Sequence, residues 1–157
     1  MSTPSSRLAQ LGITLPSVAK PLAAYVPAVR TGNLVYTSGQ LPLDGGEIAH
    51  TGKVGADGAP GSVTPEQANA AARQCALNAL AAIDALVGID SVTRIVKVVG
   101  FVASSPGFSG QPGVVNGASE FLGEVFGDAG VHARSAVGVA ELPLDAPVEV
   151  ELIVEVV

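Results

Sequence analysis

Val148-Glu149-Val150-Glu151-Leu152-Ile153-Val154-Glu155-Val156-Val157 is the stretch on which the fold turns. Val148, Val150, Leu152, Val154 and Val156 share one parity; Glu149, Glu151, Ile153 and Glu155 share the other. This period of two, apolar on one side and acidic on the other, predicts a strand with one face in a core. Upstream, Ala133–Leu142 reads as another strand, and Pro143-Leu144-Asp145-Ala146-Pro147 as a Pro-bounded hairpin loop between the two.

Further back, Val114–Phe126 has helical spacing, after a turn-rich connection from Pro106 to Pro112. Val92–Ser104 is rich in β-branched residues and reads as a central strand. Thr64-Pro65-Glu66-Gln67 is a helix start: Thr64 caps, Pro65 suits the first helical position and Gln67 completes a capping box. That helix is expected to run to about Val87 and stop at Gly88, with Ala68, Ala72, Cys75, Ala79, Ile83 and Leu86 on its apolar face. Residues 43–63, Gly-rich and without an apolar period, read as a long loop. Tyr25–Arg30 and Leu34–Ser38 read as strands around a Thr31-Gly32-Asn33 turn. Ser5–Leu11 reads as a short peripheral helix stopped by Gly12.

The order β-β-α-β-α-β-β predicts an α+β fold, a mixed sheet with two helices on one face and the other face open. Residues 1–20 read as an N-terminal extension and residues 21–157 as one domain. Charged residues make up only 14% of the 157, against about 25% in ordinary globular chains. So few charges lead to the expectation that the open face is buried between subunits. The net charge is −6 and the cations are scattered, which argues against a nucleic-acid partner. No apolar run is long enough for a bilayer, and no basic segment precedes one, so neither a membrane partner nor a signal peptide is expected. A single cysteine, Cys75, suggests a cytoplasmic setting. With only His50 and His132 beside it, no metal site is expected. There is no P-loop and no G-x-S-x-G.

The chemistry therefore falls to a few residues. Arg134 stands in the small, apolar run Ala133–Ala140; Ala136, Gly138 and Ala140 share its face and leave space before the guanidinium. It suits a small anion, since Arg grips a carboxylate bidentately; the alternative is an ion pair with Glu149 or Glu151 across the hairpin. Glu149 is either a solvated acid or a group that orients or deprotonates a water. Tyr25 is read as a packed aromatic and Asn116 as a surface residue. Ser38 and Gly39 can present backbone donors at a strand end. Cys75 is a core residue or a reactive thiol. His132 is read as a boundary residue facing away from Arg134.

Tyr25-Val26, Gly32-Asn33-Leu34-Val35-Tyr36-Thr37-Ser38-Gly39-Gln40-Leu41-Pro42, Ala133-Arg134-Ser135-Ala136-Val137, Leu142-Pro143 and Val148-Glu149-Val150-Glu151 together resemble the RidA/YjgF family of enamine/imine deaminases. The similarity runs from about Pro21 to Val157, with the elements in the same order. The resemblance implies a chorismate-mutase-like fold and a homotrimeric barrel with a cleft between each pair of subunits. It implies hydrolysis of 2-enamino and 2-imino acids to 2-keto acids and ammonia, a reaction for which no metal and no organic cofactor is expected. It casts Arg134 as the carboxylate clamp, Glu149 as the residue that positions the water and Tyr25 as a cleft residue from the neighbouring subunit. Ser38, Gly39, Asn116 and Ala136 become further substrate-binding positions. The chain departs from the family at Ala136, where Cys is frequent, and at Gly138, where Glu is common. Its 43–63 loop is longer and its N-terminal extension is extra. The other readings are a non-catalytic binder of small carboxylates and, against the acidic balance, a ribonuclease.

Overall fold

The computed structural model describes residues 2–18, 24–56 and 62–157. The boundary drawn between residues 20 and 21 lies outside the described residues, as do residues 57–61 of the long loop. The main sheet has five strands: β1 (Ala28–Thr31), β2 (Leu34–Thr37), β5 (Val92–Ala103), β6 (Ala133–Val139) and β7 (Val148–Val156). Their order is β1-β2-β7-β5-β6, with β5 and β6 parallel and every other pair antiparallel. Helices α2 (Pro65–Val87) and α3 (Gln111–Phe126) pack on one face and on each other.

The last strand takes the middle place. Its Val148, Val150, Leu152, Val154 and Val156 are all buried. β5, expected at the centre, lies between β7 and β6. The predicted hairpin is overturned: β6 pairs with β5, with Arg134 opposite Val98, and never with β7. An apolar side this continuous gains most with a strand on each flank. The Pro-bounded segment instead carries the chain past β5, turning through Leu144 and Asp145, both at φ 56°.

Helix α2 begins as its sequence dictates. Gln67 N–H donates to Thr64 Oγ1 at 3.1 Å, and Thr64 N–H donates to Gln67 Oε1 at 3.0 Å. The helix is long and apolar enough to cross a bilayer, contrary to the sequence expectation, but half of that stretch is buried within the protein. Helix α3 starts three residues earlier than predicted. Pro112 lies in its first turn, where a missing N–H breaks no bond. Strand β1 starts three residues later, at Ala28, because Pro27 has no N–H for a ladder.

The described parts of the 43–63 segment are more ordered than its composition suggests. β3 (Leu43–Asp44) and β4 (Glu47–Ile48) form a small hairpin through Gly45 and Gly46, at φ 60° and 85°. Val54 and Val63 are fully buried, and Val54 N–H donates to Ala103 O at 2.7 Å.

The first helix, α1 (Pro4–Gln10), is docked rather than peripheral. Leu8 is buried, Arg7 Nε donates to Glu124 O at 2.8 Å, and Ser5 Oγ donates to Asp90 Oδ2 at 2.6 Å. Leu8→Ala is expected to cost about 2–3 kcal/mol through the cavity it leaves, read as a lower urea midpoint with an unchanged slope.

The opposite sheet face stays open. Val29, Tyr36 and Val137 are exposed there, and Ile153, Val99 and Phe101 are half-covered.

Candidate active site

Arg134 lies level with Val98 and Leu152, both buried, so its side chain points to the helix side of the sheet. Its NH1 donates to Asn116 Oδ1 at 2.8 Å and to Ser119 Oγ at 3.3 Å. The two acceptors are three apart on α3 and so share one helix face. NH2 and Nε make no hydrogen bond among the described residues. One edge of the guanidinium is thus anchored, and the fork that matches a carboxylate remains at the β6 sheet edge.

The anchor extends to His132. Its Nδ1 lies 2.6 Å from Gly130 O, and its Nε2 lies 2.9 Å from Ser119 Oγ. A carbonyl can only accept, so Nδ1 carries a proton and Nε2 faces the serine. The reading of His132 as facing away is overturned. It stands two residues before Arg134, on the same parity, and that count was the signal for it. Ser119 was missed altogether; its spacing from Asn116 was the available sign.

Ala136 shares the Arg134 face and packs partly against the core. The space expected beside Gly138 is filled. A Cβ there would stand 2.8 Å from Gln111 Nε2 and 3.0 Å from Ser104 Oγ, so a larger residue at position 138 would meet the start of α3.

A second cluster surrounds Glu149. This side chain has the parity of Glu151 and points to the open face, half-buried. A Cβ on Gly39 would come within 2.7 Å of Glu149 Oε1, so glycine lets the carboxylate lie against the chain. Burial, and then the charge of Glu151, raise the Glu149 pKa above the ordinary glutamate value. Ser38 is not the donor expected. Its N–H goes to Pro27 O at 2.8 Å and its hydroxyl to Val26 O at 2.6 Å. These bonds hold the stretch next to Tyr25, which precedes β1 and is exposed rather than packed. The N–H of Gly39 has no partner among the described residues.

Arg134 and Glu149 do not meet within a protomer. Between them lie two strand spacings and three residues of rise, roughly 14 Å at the backbone, and they point to opposite faces. The predicted cross-hairpin ion pair is absent among the described residues for the same reason.

Cys75 is a core residue. It is fully buried, and burial, followed by the Glu149 charge, raises its thiol pKa well above the free value. The folded protein is expected to leave a chromogenic disulfide reagent unreacted until denaturant is added. A cavity of about 450 Å³ between the β3–β4 hairpin and α2 is lined by Pro42, Ile48, His50 and Glu66 among others, and by no Arg or Lys. It contains none of the candidate site residues. Among the described residues, no three His, Cys, Asp or Glu side chains gather as a metal site.

A mixed sheet with two helices on one face, and an arginine fork held at its edge, defines an α+β protein whose sheet edge presents a guanidinium. Residues 16–156 match the family model described as Endoribonuclease L-PSP, and the chain belongs to that family, the RidA/YjgF family. It is similar to protein TCP17 of Trypanosoma cruzi, with 45% identity over 96% of this chain and 92% of that one. It is 32% identical to a 2-iminobutanoate/2-iminopropanoate deaminase of Dermatophagoides farinae, over 90% and 93% of the two chains. A crystal structure of an Agrobacterium tumefaciens protein of unknown function is similar at a TM-score of 0.87, with 46% identity over 98% of this chain and 92% of that one.

Proposed function

We propose that the chain is a homotrimeric hydrolase that converts 2-enamino and 2-imino acids to 2-keto acids and ammonia, in clefts between subunits. The observation that carries this reading is the Arg134 guanidinium, anchored through NH1 with its remaining donors uncommitted among the described residues. The fork holds the substrate carboxylate and fixes the neighbouring carbon for attack. Glu149, with its raised pKa, takes a proton from the attacking water more readily than an ordinary glutamate would.

The separation of the two clusters shapes the cleft. One protomer supplies Arg134, Asn116 and Ala136; the neighbour supplies Glu149, Gly39, Ser38 and Tyr25. This extends the expected role of Tyr25 to the whole Glu149 cluster. The exposed Val29, Tyr36 and Val137 support burial of the open face in the trimer.

The test uses imines made in situ by an amino-acid oxidase. Wild type should release ammonia faster than the enzyme-free reaction. Arg134→Gln and Glu149→Gln should each be nearly inactive, yet trimers refolded from an equal mixture should recover about a quarter of wild-type activity, since one cleft in four then has both residues. No recovery overturns the shared cleft. Arg134-dependent binding of a 2-keto acid without turnover selects the non-catalytic carboxylate binder.

Glu149 gives two pH dependences of opposite sign. Catalysis needs the carboxylate, so activity falls as pH drops through its raised pKa. Stability runs the other way: the fold disfavours the charged form, so native stability is lost as pH rises through that value. Glu149→Gln should therefore raise the melting temperature at pH 8, and the gain should vanish below about pH 4, where the glutamate is protonated in both states. A gain that is independent of pH would contradict this.

A further inference from the structure

We propose that Ser119 and His132 form the proton relay of the Arg134 cleft, with Ser119 touching the substrate and His132 acting through it; this rests on the deaminase reading. Imine hydrolysis must deliver protons to the departing nitrogen; the arginine fork supplies none, and Glu149, once protonated by the water, is the donor with which the relay competes. In a 2-imino acid the nitrogen sits on the carbon next to the carboxylate. A carboxylate gripped by Arg134 holds that nitrogen beside the guanidinium, whose NH1 lies 3.3 Å from Ser119 Oγ.

The geometry suits a hydroxyl that passes protons. Ser119 lies within α3, where a serine often turns back to the carbonyl four residues earlier. Here its recorded partners are instead His132 Nε2 at 2.9 Å and Arg134 NH1. Both imidazole bonds hold in either protonation state. The neutral ring donates through Nδ1 to Gly130 O and accepts from Ser119; the imidazolium donates through both nitrogens. In the second state the serine hydrogen is turned away from the ring and toward a ligand. Arg134 is the charged group that shares Ser119 with the ring, while Glu120 on α3 and Asp128 in the Gly127–Gly130 turn flank it in sequence.

The steps balance. The water oxygen bonds to C2, Glu149 takes the proton the water loses, and the C=N pair ends on nitrogen, which takes the Ser119 proton as Ser119 takes one from His132. Solvent then recharges His132 and discharges Glu149. A second proton passes along the same route, the C2–N bond breaks, ammonia leaves with the electron pair, and the hydroxyl proton passes to Glu149 as C2=O forms.

The experiment measures ammonia release against pH for wild type, Ser119→Ala, Ser119→Thr, His132→Gln and the double variant Ser119→Ala/His132→Gln. Calorimetry with a 2-keto acid measures binding in parallel. Ser119→Ala and His132→Gln should each lower kcat about 10²-fold while binding is retained. Ser119→Thr should keep most of the rate, the double variant should be no worse than either single one, and His132→Gln should lose the fall in kcat on the alkaline side. Unchanged kcat and pH profile in the single variants, or additive losses, overturn the relay alone. Loss of binding in parallel with kcat overturns it in favour of a purely structural role. Absence of turnover in wild type overturns the relay together with the deaminase reading.

Discussion

Arg134→Gln is expected to lower kcat/KM for a 2-imino acid by about 10³-fold, because two charge-assisted bonds of about 2 kcal/mol each are lost. Part of the loss is binding, which raises KM. The rest is orientation, since a substrate that pivots about its carboxylate no longer offers its carbon to the water, and this lowers kcat. Arg134→Lys should fall between the two, keeping the charge and losing the fork. Stability should change little. The side chain is half-buried at a sheet edge, and its acceptors on Asn116 and Ser119 can turn to water. Steady-state kinetics beside a melting curve separates these effects. A kcat/KM within tenfold of wild type, in a folded Arg134→Gln protein, would remove the carboxylate clamp.

What the sequence disclosed and what it hid divide along a physical line. The limits of α2 were legible because Thr64, Pro65, Gln67 and Gly88 act on their own few residues. The alternation in β7 likewise gave its buried face. Pairing was not legible. Nothing between Pro143 and Pro147 says that the chain passes β5 rather than folding back, and an αL pair at Leu144 and Asp145 is no turn signature. That single error placed Arg134 beside Glu149 and concealed that they point to opposite faces. The family motifs named Arg134, Glu149 and Gly39 and were silent on which of them share a surface. Gly138 shows the reverse case: read as empty space, it is small because Gln111 and Ser104 already occupy the volume.

Gly117→Ala is expected to be the most damaging single-methyl change, costing about 2 kcal/mol or more net. A Cβ at position 117 would collide with the carbonyl oxygen of Asn69, in the backbone of α2. Neither partner can rotate away, so the helices must separate, and overpacking of this kind costs about 1–3 kcal/mol and at times more. Helix propensity pulls the other way by about 1 kcal/mol, since alanine is the better helix former. Gly123→Ala isolates that gain. It lies in the same helix, a Cβ there meets nothing within 4 Å, and the variant should be neutral or stabilised by up to about 1 kcal/mol. Opposite signs in denaturant midpoints for the two variants identify the α2–α3 approach as the cause; matching signs would show that the contact relaxes. The effect should reach the cleft as well. Asn116 precedes Gly117 on α3 and holds Arg134 at 2.8 Å, so moving the helix loosens the fork, and Gly117→Ala should lose kcat at temperatures where it is still folded, whereas Gly123→Ala should not.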